Sequence, residues 1–167
     1  RQELAFDPPD LSALLGGPAL AGGAGSLGGI MACNLSGPRR IKAGAARDHI
    51  LGFAGVNGRG EAFKSGGRVV KNVTGFDLSK LMAGSFGTLA AMTEVTVKVM
   101  PKAEKIRTVL IFGLAPEAGV AAMCAALGGA HEVAAAAYWP AEAARTSAVD
   151  LVSRSGASVT ALRIEGP

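Results

Sequence analysis

Between Met92 and Met100 the chain alternates. Met92, Glu94, Thr96, Lys98 and Met100 fall on one face of an extended segment, and Thr93, Val95, Val97 and Val99 fall on the other. A period of two predicts a strand half buried in a sheet. Upstream, apolar Ile50, Phe53 and Val56 lead to Asn57-Gly58-Arg59-Gly60, and Glu61–Lys64 return, which predicts a hairpin over residues 49–63. Residues 76–82 predict one or two turns of helix, with Phe76, Leu78, Leu81 and Met82 on the apolar side. Gly84 and Gly87 bracket the turn into the alternating strand. Nearer the start, Ser26 is placed to cap a short helix over residues 27–34, led by the amides of Gly28 and Gly29, and Gly37-Pro38 stops it. Before that, Pro8-Pro9 and Gly16-Gly17 enclose a short turn or helix over residues 10–15.

Pro101 to Lys105 is a charged, proline-marked break, and a domain boundary is placed there: residues 1–101 and residues 102–167. After it the pattern reads strand 107–113, Ala-rich helix 116–127, strand 133–138, helix 142–152 and strand 157–164. This β-α-β-α-β order predicts part of a ferredoxin-like α+β unit.

Composition narrows the function classes. With 49% hydrophobic and 18% charged residues the chain is a packed protein, not a disordered one. The 24 glycines are about twice the usual frequency of roughly 7% and have no collagen period, so they mark turns and close backbone approaches. Aromatics are only 5%, too few for base-stacking platforms. The net charge of +4 has one local basic group, Arg39, Arg40, Lys42 and Arg47, but no nucleic-acid module accompanies it. Cys33 and Cys124 lie far apart in apolar runs and read as small buried residues of a reducing compartment. His49 and His131 are equally far apart, so no metal box is expected. No run is long enough to span a membrane and no signal peptide is visible. With no initial Met, the chain reads as a fragment.

Four glycine-rich stretches carry the candidate chemistry. At Gly25-Ser26-Leu27-Gly28-Gly29, a helix start with bare amides favours a phosphate or a flavin carbonyl oxygen; alternatively the glycines only permit a tight turn. It is not a dinucleotide fingerprint after a strand. At Gly44-Ala45-Ala46-Arg47-Asp48, Gly44 could approach a ligand, or the stretch is a surface turn with an Arg47–Asp48 ion pair. At Asn72-Val73-Thr74-Gly75-Phe76-Asp77, Thr74 or Asp77 is placed to cap the next helix, beside Lys71. Gly84-Ser85-Phe86-Gly87-Thr88-Leu89 leads into Thr93-Glu94-Val95, where a strand offers main-chain groups to an adenine edge. There is no catalytic triad, no Cys–His pair and no carboxylate cluster, and Glu94 stands alone. The catalytic residues are unknown, and any redox chemistry belongs to a cofactor.

In order, SLGGIMACNLSGPRR, GAARDHILGFAGVNGRGEAFKSGG and VVKNVTGFDLSKLMAGSFGTLAAMTEVTVKVMP resemble the FAD-binding domain of vanillyl-alcohol-oxidase-type flavoproteins, over residues 6–101. Within that group they most resemble the smaller flavin-binding subunit of bacterial glycolate oxidases; KNVTGFDLSKLM and CNLSGPRR are the specific pieces. The resemblance implies an α+β fold: the second FAD-binding subdomain in residues 1–101, followed in residues 102–167 by part of a ferredoxin-like cap domain. The family's diphosphate-binding glycine loop has no counterpart in this sequence. Matching positions imply Ser26, Leu27, Gly28 and Gly29 near the flavin and diphosphate, Asn34 and Gly37 after them, Gly44 at the next turn, and Val95 near the adenosine. Phe86 replaces a commonly acidic residue and Ala90 a common glycine, and no covalent flavin attachment motif or metal-binding histidine set is matched.

The resemblance further implies FAD as cofactor and FAD-dependent oxidation of a 2-hydroxy acid, glycolate, to the 2-oxo acid within a multi-subunit complex. Implied partners are a larger flavin subunit and an iron–sulfur subunit, in the cytoplasm or held at the inner membrane through them. Two alternatives stand beside this: a stand-alone D-lactate or D-2-hydroxyglutarate dehydrogenase, and a non-catalytic scaffold subunit with a flavoprotein fold.

Overall fold

The computed structural model describes residues 1–11, 25–70 and 75–166. Most of the expected turn or helix over residues 10–15, Gly16-Gly17, and the stretch from Lys71 to Thr74 lie outside the described residues. The chain divides into two compact units, Arg1–Pro101 and Lys102–Pro167.

In the first unit, a three-stranded antiparallel sheet is built from β2 (Ile50–Asn57), β3 (Ala62–Gly66) and β4 (Ala90–Val97), in the order β3-β2-β4. A two-residue pair, β1 (Gln2–Glu3) with β5 (Met100–Pro101), joins the ends of the unit. Arg39, largely buried, pairs with Glu3 at 2.7 Å and fixes β1 from the other side. Four short helices complete it: α1 (Leu27–Cys33), α2 (Arg40–Ala43), α3 (Ala46–His49) and α4 (Leu78–Met82). α1 lies against β4, α4 lies against β2 and β3, and α3 touches both helices. The core between helices and sheet holds Phe6, Met31, Ala46 and Ile50 in one cluster and Phe53, Met82 and Ala90 in a second, with Met92 packed against both.

The hairpin forms where expected. Its turn is closed by Asn57, whose Oδ1 accepts the amides of Arg59 (2.9 Å) and Glu61 (3.0 Å), the self-bonding that suits Asn to turns. The alternation of 92–100 does not persist as a single register. Opposite β2, the pairing steps from Ala54↔Glu94 to Gly55↔Met92, passing over Thr93, and from Ile50↔Val97 to Gly52↔Thr96, passing over Leu51. A bulge shifts the side-chain phase by one residue. Met92 therefore faces the core together with Val95 and Val97 instead of sharing a face with Glu94 and Thr96. The strand also stops at Val97, and Met100 belongs to β5.

The helix before it is shorter than expected. Asp77 Oδ1 accepts the Lys80 amide at 3.2 Å, so the helix begins at Leu78. Phe76 is left ahead of it, 90% exposed, and Leu81 points outward at 59%. The inward positions are Leu78, Ser79 and Met82. Ser79 is buried because its hydroxyl reaches the Ser65 carbonyl at 3.4 Å.

In the second unit, β6 (Lys105–Phe112), β7 (Val133–Trp139) and β8 (Val159–Gly166) form a sheet in the order β6-β8-β7, with β8 antiparallel to both neighbours. The crossover through α5 (Pro116–Leu127) thus leaves a gap that β8 fills, the split β-α-β unit of ferredoxin-like folds. α5 starts with Pro116 at its first position and packs on β7 and β8. The expected helix 142–152 is instead two short helices, α6 (Ala141–Ala144) and α7 (Asp150–Ser153). Between them Thr146 Oγ1 donates to the Ala143 carbonyl (2.8 Å) and Ser147 Oγ accepts the Val149 amide (3.2 Å), local side-chain bonds that compete with the helical ladder. α6 and α7 bury Ala144 and Val152 against Val159 and Leu110. Cys33 is half-buried but Cys124 is exposed, contrary to expectation, because α5 turns Gly119 inward and Cys124 outward. The fold is α+β throughout.

Candidate functional site

α1 has two ends of opposite character. At its start, Ser26 Oγ accepts the Gly29 amide at 3.1 Å and the Ser26 carbonyl accepts the Ile30 amide at 3.0 Å. The Gly29 amide is therefore engaged by the cap and is not offered outward as the sequence suggested. Gly28, one position earlier, has no intrahelical acceptor by position. A methyl group built on Gly28 would meet nothing closer than Ser26 Oγ at 4.0 Å, and one on Gly25 would meet nothing within 4 Å. Leu27 points its side chain into the core beside Met31. Among the described residues the start of α1 thus presents uncovered main chain, held by one serine.

The end of α1 is instead saturated. Asn34 takes the left-handed conformation (φ 51°) that terminates a helix, and Leu35 donates back to the Ile30 carbonyl at 3.0 Å. Asn34 Oδ1 then accepts the Arg47 amide at 2.9 Å, Ser36 Oγ accepts the Ala46 amide at 2.8 Å, and Asp48 Oδ2 accepts the Ala45 amide at 2.8 Å. Three side chains from two segments satisfy three consecutive amides opening α3. The turn at residues 84–88 docks on the same end of α1: Gly84 donates to the Met31 carbonyl (3.3 Å) and Phe86 to the Ala32 carbonyl (2.9 Å). Phe86 itself is 71% exposed and sits at φ 54°.

The expected site residues therefore separate. Asn34 and the Gly44 turn meet through Arg47 and Asp48, while Ser26, Leu27, Gly28 and Gly29 sit at the other end of α1, roughly 10 Å away at 1.5 Å per residue. Gly44 has φ +85°, and a methyl on it would lie 2.9 Å from Asp48 Oδ2. The Asp48 carboxylate is committed to the Ala45 amide, so the alternative Arg47–Asp48 ion pair does not form and the Arg47 side chain is exposed. Gly37 donates to the Phe6 carbonyl at 2.9 Å, and a methyl on it would overlap the Asp7 carbonyl. Its close approach is to the chain itself. Val95 directs its side chain into the core beside Phe53 and Met82. Only its main chain, on the strand at the edge of the β3-β2-β4 sheet, can address another molecule.

Sequence reasoning did not foresee the place of His49. It is 1% exposed, packs on Phe6 with ring centroids 5.2 Å apart, and sets its ring nitrogens 2.8 Å from the Ala43 carbonyl and 3.3 Å from the Lys98 carbonyl. The Lys98 amide returns a bond to the His49 carbonyl at 2.8 Å. The ring ties the end of α2 to the segment after β4. Only the spacing from Gly44 could have signalled this, and a lone histidine in an apolar stretch carries little information. Among the described residues no group of three His, Cys, Asp or Glu is arranged to hold a metal ion, and no helix is long and apolar enough to cross a membrane.

No family model matches the chain. Individual proteins do. The glycolate oxidase subunit GlcE of Escherichia coli is 49% identical over 75 residues, 45% of this chain and 21% of that protein. An FAD-linked oxidoreductase of Mycobacterium tuberculosis is 45% identical over 85 residues, 51% of this chain and 18% of that protein. A D-lactate dehydrogenase of Archaeoglobus fulgidus is 36% identical over 77 residues, 46% and 17% respectively. The chain thus spans about a fifth of the length of these relatives. Among solved structures, an alkyldihydroxyacetonephosphate synthase superposes with a TM-score of 0.70 at 18% identity, over 99% of this chain and 31% of that one. That likeness establishes the FAD-binding-type α+β fold. By sequence the chain is similar to glycolate oxidase subunits and to FAD-linked oxidoreductases.

Proposed function

We propose that the chain is a flavin-binding segment of an FAD-dependent enzyme that oxidises a 2-hydroxy acid to the 2-oxo acid, with residues 1–101 supplying part of the FAD site and residues 102–167 the start of a cap domain. The 49% identity to a glycolate oxidase subunit carries this reading. The residues present fit the cofactor in kind. The first turn of α1 offers main chain with no side chain above Gly28, and β4 offers the peptide groups around Val95 on a sheet edge. Small-residue backbone of this sort suits the oxygens of a diphosphate or a flavin ring, and strand peptides suit an adenine edge.

When bound, FAD would supply the two-electron acceptor. The chain's own residues hold and orient. Ser26 fixes the direction of the first turn of α1, and the Asn34–Arg47 and Ser36–Ala46 bonds fix the turn at residues 44–48 relative to that helix. No described side chain stands as a catalytic base. The same reading assigns glycolate as substrate and a larger flavin subunit and an iron–sulfur subunit as partners, with a cytoplasmic or peripheral inner-membrane location through them. The D-lactate dehydrogenase relative favours a second reading, a dehydrogenase acting without those partners.

The test is to incubate the chain with FAD, desalt it and record the visible spectrum. A retained, perturbed flavin band supports the reading. A colourless protein from both this chain and a longer one that carries a diphosphate-binding glycine loop would overturn the cofactor assignment. Turnover of D-lactate by the longer protein alone, with an artificial acceptor, would favour the second reading over the first.

A further inference from the structure

A pocket of about 360 Å³ opens in the first unit between the start of β2, the end of β3 and the N-terminal side of α4. This volume is at the lower end of the range for small-molecule sites. Its lining combines two features that are unusual together. One is apolar residues left in water at its rim: Phe76 is 90% exposed, Val70 76% and Val69 63%. Large apolar side chains clustered at a concavity mark a contact surface for something apolar.

The other feature is its charge balance. The pocket holds Asp48, Asp77, Lys80 and Lys98. Asp48 is engaged by the Ala45 amide at 2.8 Å. Asp77 is engaged by the Lys80 amide at 3.2 Å and by the Lys80 ammonium at 3.5 Å. Lys98 is half-buried and has no acidic partner among the described residues. Its backbone is held on both sides by His49, through the amide at 2.8 Å and the carbonyl at 3.3 Å, so the base of the side chain is fixed. A partly desolvated cation with no ion pair among the described residues favours an anion beside it, and the hydrogen bonds it would make are of the strong, charge-assisted kind.

We infer that this pocket binds a small carboxylate bearing a short apolar arm, the carboxylate on Lys98 and the arm against Phe76, Val69 and Val70. The inference does not depend on the flavin assignment, since the pocket involves none of the residues expected to contact FAD. The probe is hexanoate, titrated into the intact chain labelled with ¹⁵N, following the amides of Gly66, Gly75 and Lys98. Saturable shifts confined to these amides are expected, weakened about tenfold or more in Lys98→Met, the loss expected for one charge-assisted hydrogen bond. Phe76→Ser, at an exposed position, should weaken hexanoate and leave acetate unaffected. If Lys98→Met is not folded by its own spectrum, Lys98→Gln takes its place. Absence of saturation at tens of millimolar, or binding unchanged in the folded lysine variant, overturns the inference. Inorganic phosphate binding as tightly as hexanoate would overturn the apolar-arm assignment.

Discussion

The side-chain oxygen of Asn34 accepts the backbone amide of Arg47 at 2.9 Å, so the residue that ends α1 also opens α3. Asn is suited to both tasks: it tolerates left-handed φ, and its amide oxygen is a short-range acceptor. Asn34→Gly keeps the conformation and removes the acceptor, while Asn34→Ala loses both. Urea unfolding should show losses of about 1 kcal/mol for the glycine variant and about 2 kcal/mol for alanine. Equal losses would mean that the hydrogen bond contributes all of the effect and the helix-ending conformation none.

Gly28→Val separates binding from folding. The added side chain enters open space, with Ser26 Oγ as nearest neighbour at 4.0 Å, so stability should change by less than about 1 kcal/mol. Flavin retained after desalting should nevertheless fall sharply, because the valine covers the main chain of the first turn. Undiminished flavin retention in a folded variant would remove the start of α1 from the site.

Gly44→Ala should cost about 1–3 kcal/mol in thermal or urea unfolding, because φ +85° is adopted readily only by glycine and the new methyl would press on the Asp48 carboxylate. A near-neutral result would show that the turn relaxes away from this geometry.

His49→Phe removes the ring nitrogens that lie 2.8 Å from the Ala43 carbonyl and 3.3 Å from the Lys98 carbonyl while preserving an aromatic ring beside Phe6. The expected loss is about 2–4 kcal/mol, and His49→Gln, which can donate to one carbonyl, should recover part of it. Faster amide exchange at Lys98, which donates to the His49 carbonyl, would locate the damage at this bridge.

Met82 and Leu81 are adjacent in sequence and opposite in fate. Met82 is 3% exposed, so Met82→Ala should cost about 2–5 kcal/mol. Leu81→Ala, at an exposed position, should fall within about 0.5 kcal/mol of neutral. A chemical-denaturation pair decides it.

Local chemistry was readable directly from the chain. The Ser26 cap, the hairpin turned by Asn57, the α5 helix opened by Pro116 and the strand-helix-strand order after residue 105 each depend on residues within a few positions of one another, so neighbouring side chains and backbone settle them without help from the rest of the molecule. The motifs at Gly25–Gly29 and Gly84–Leu89 were visible for the same reason. Tertiary structure decided what depends on partners distant in sequence. The bulges at Leu51 and Thr93 exist only because β4 must pair with β2 while keeping Met92, Val95 and Val97 on the buried side. Leu81 and Phe76 look apolar enough for a core, but the sheet beneath α4 accommodates only Leu78, Ser79 and Met82. Which amide the Asn34 oxygen accepts is set by Arg47, thirteen residues away, and Val95 turns its side chain into the core only because Phe53 and Met82 pack there. Hydrophobic periodicity records that a residue has a preferred environment; which neighbour supplies that environment is fixed only when the chain closes on itself.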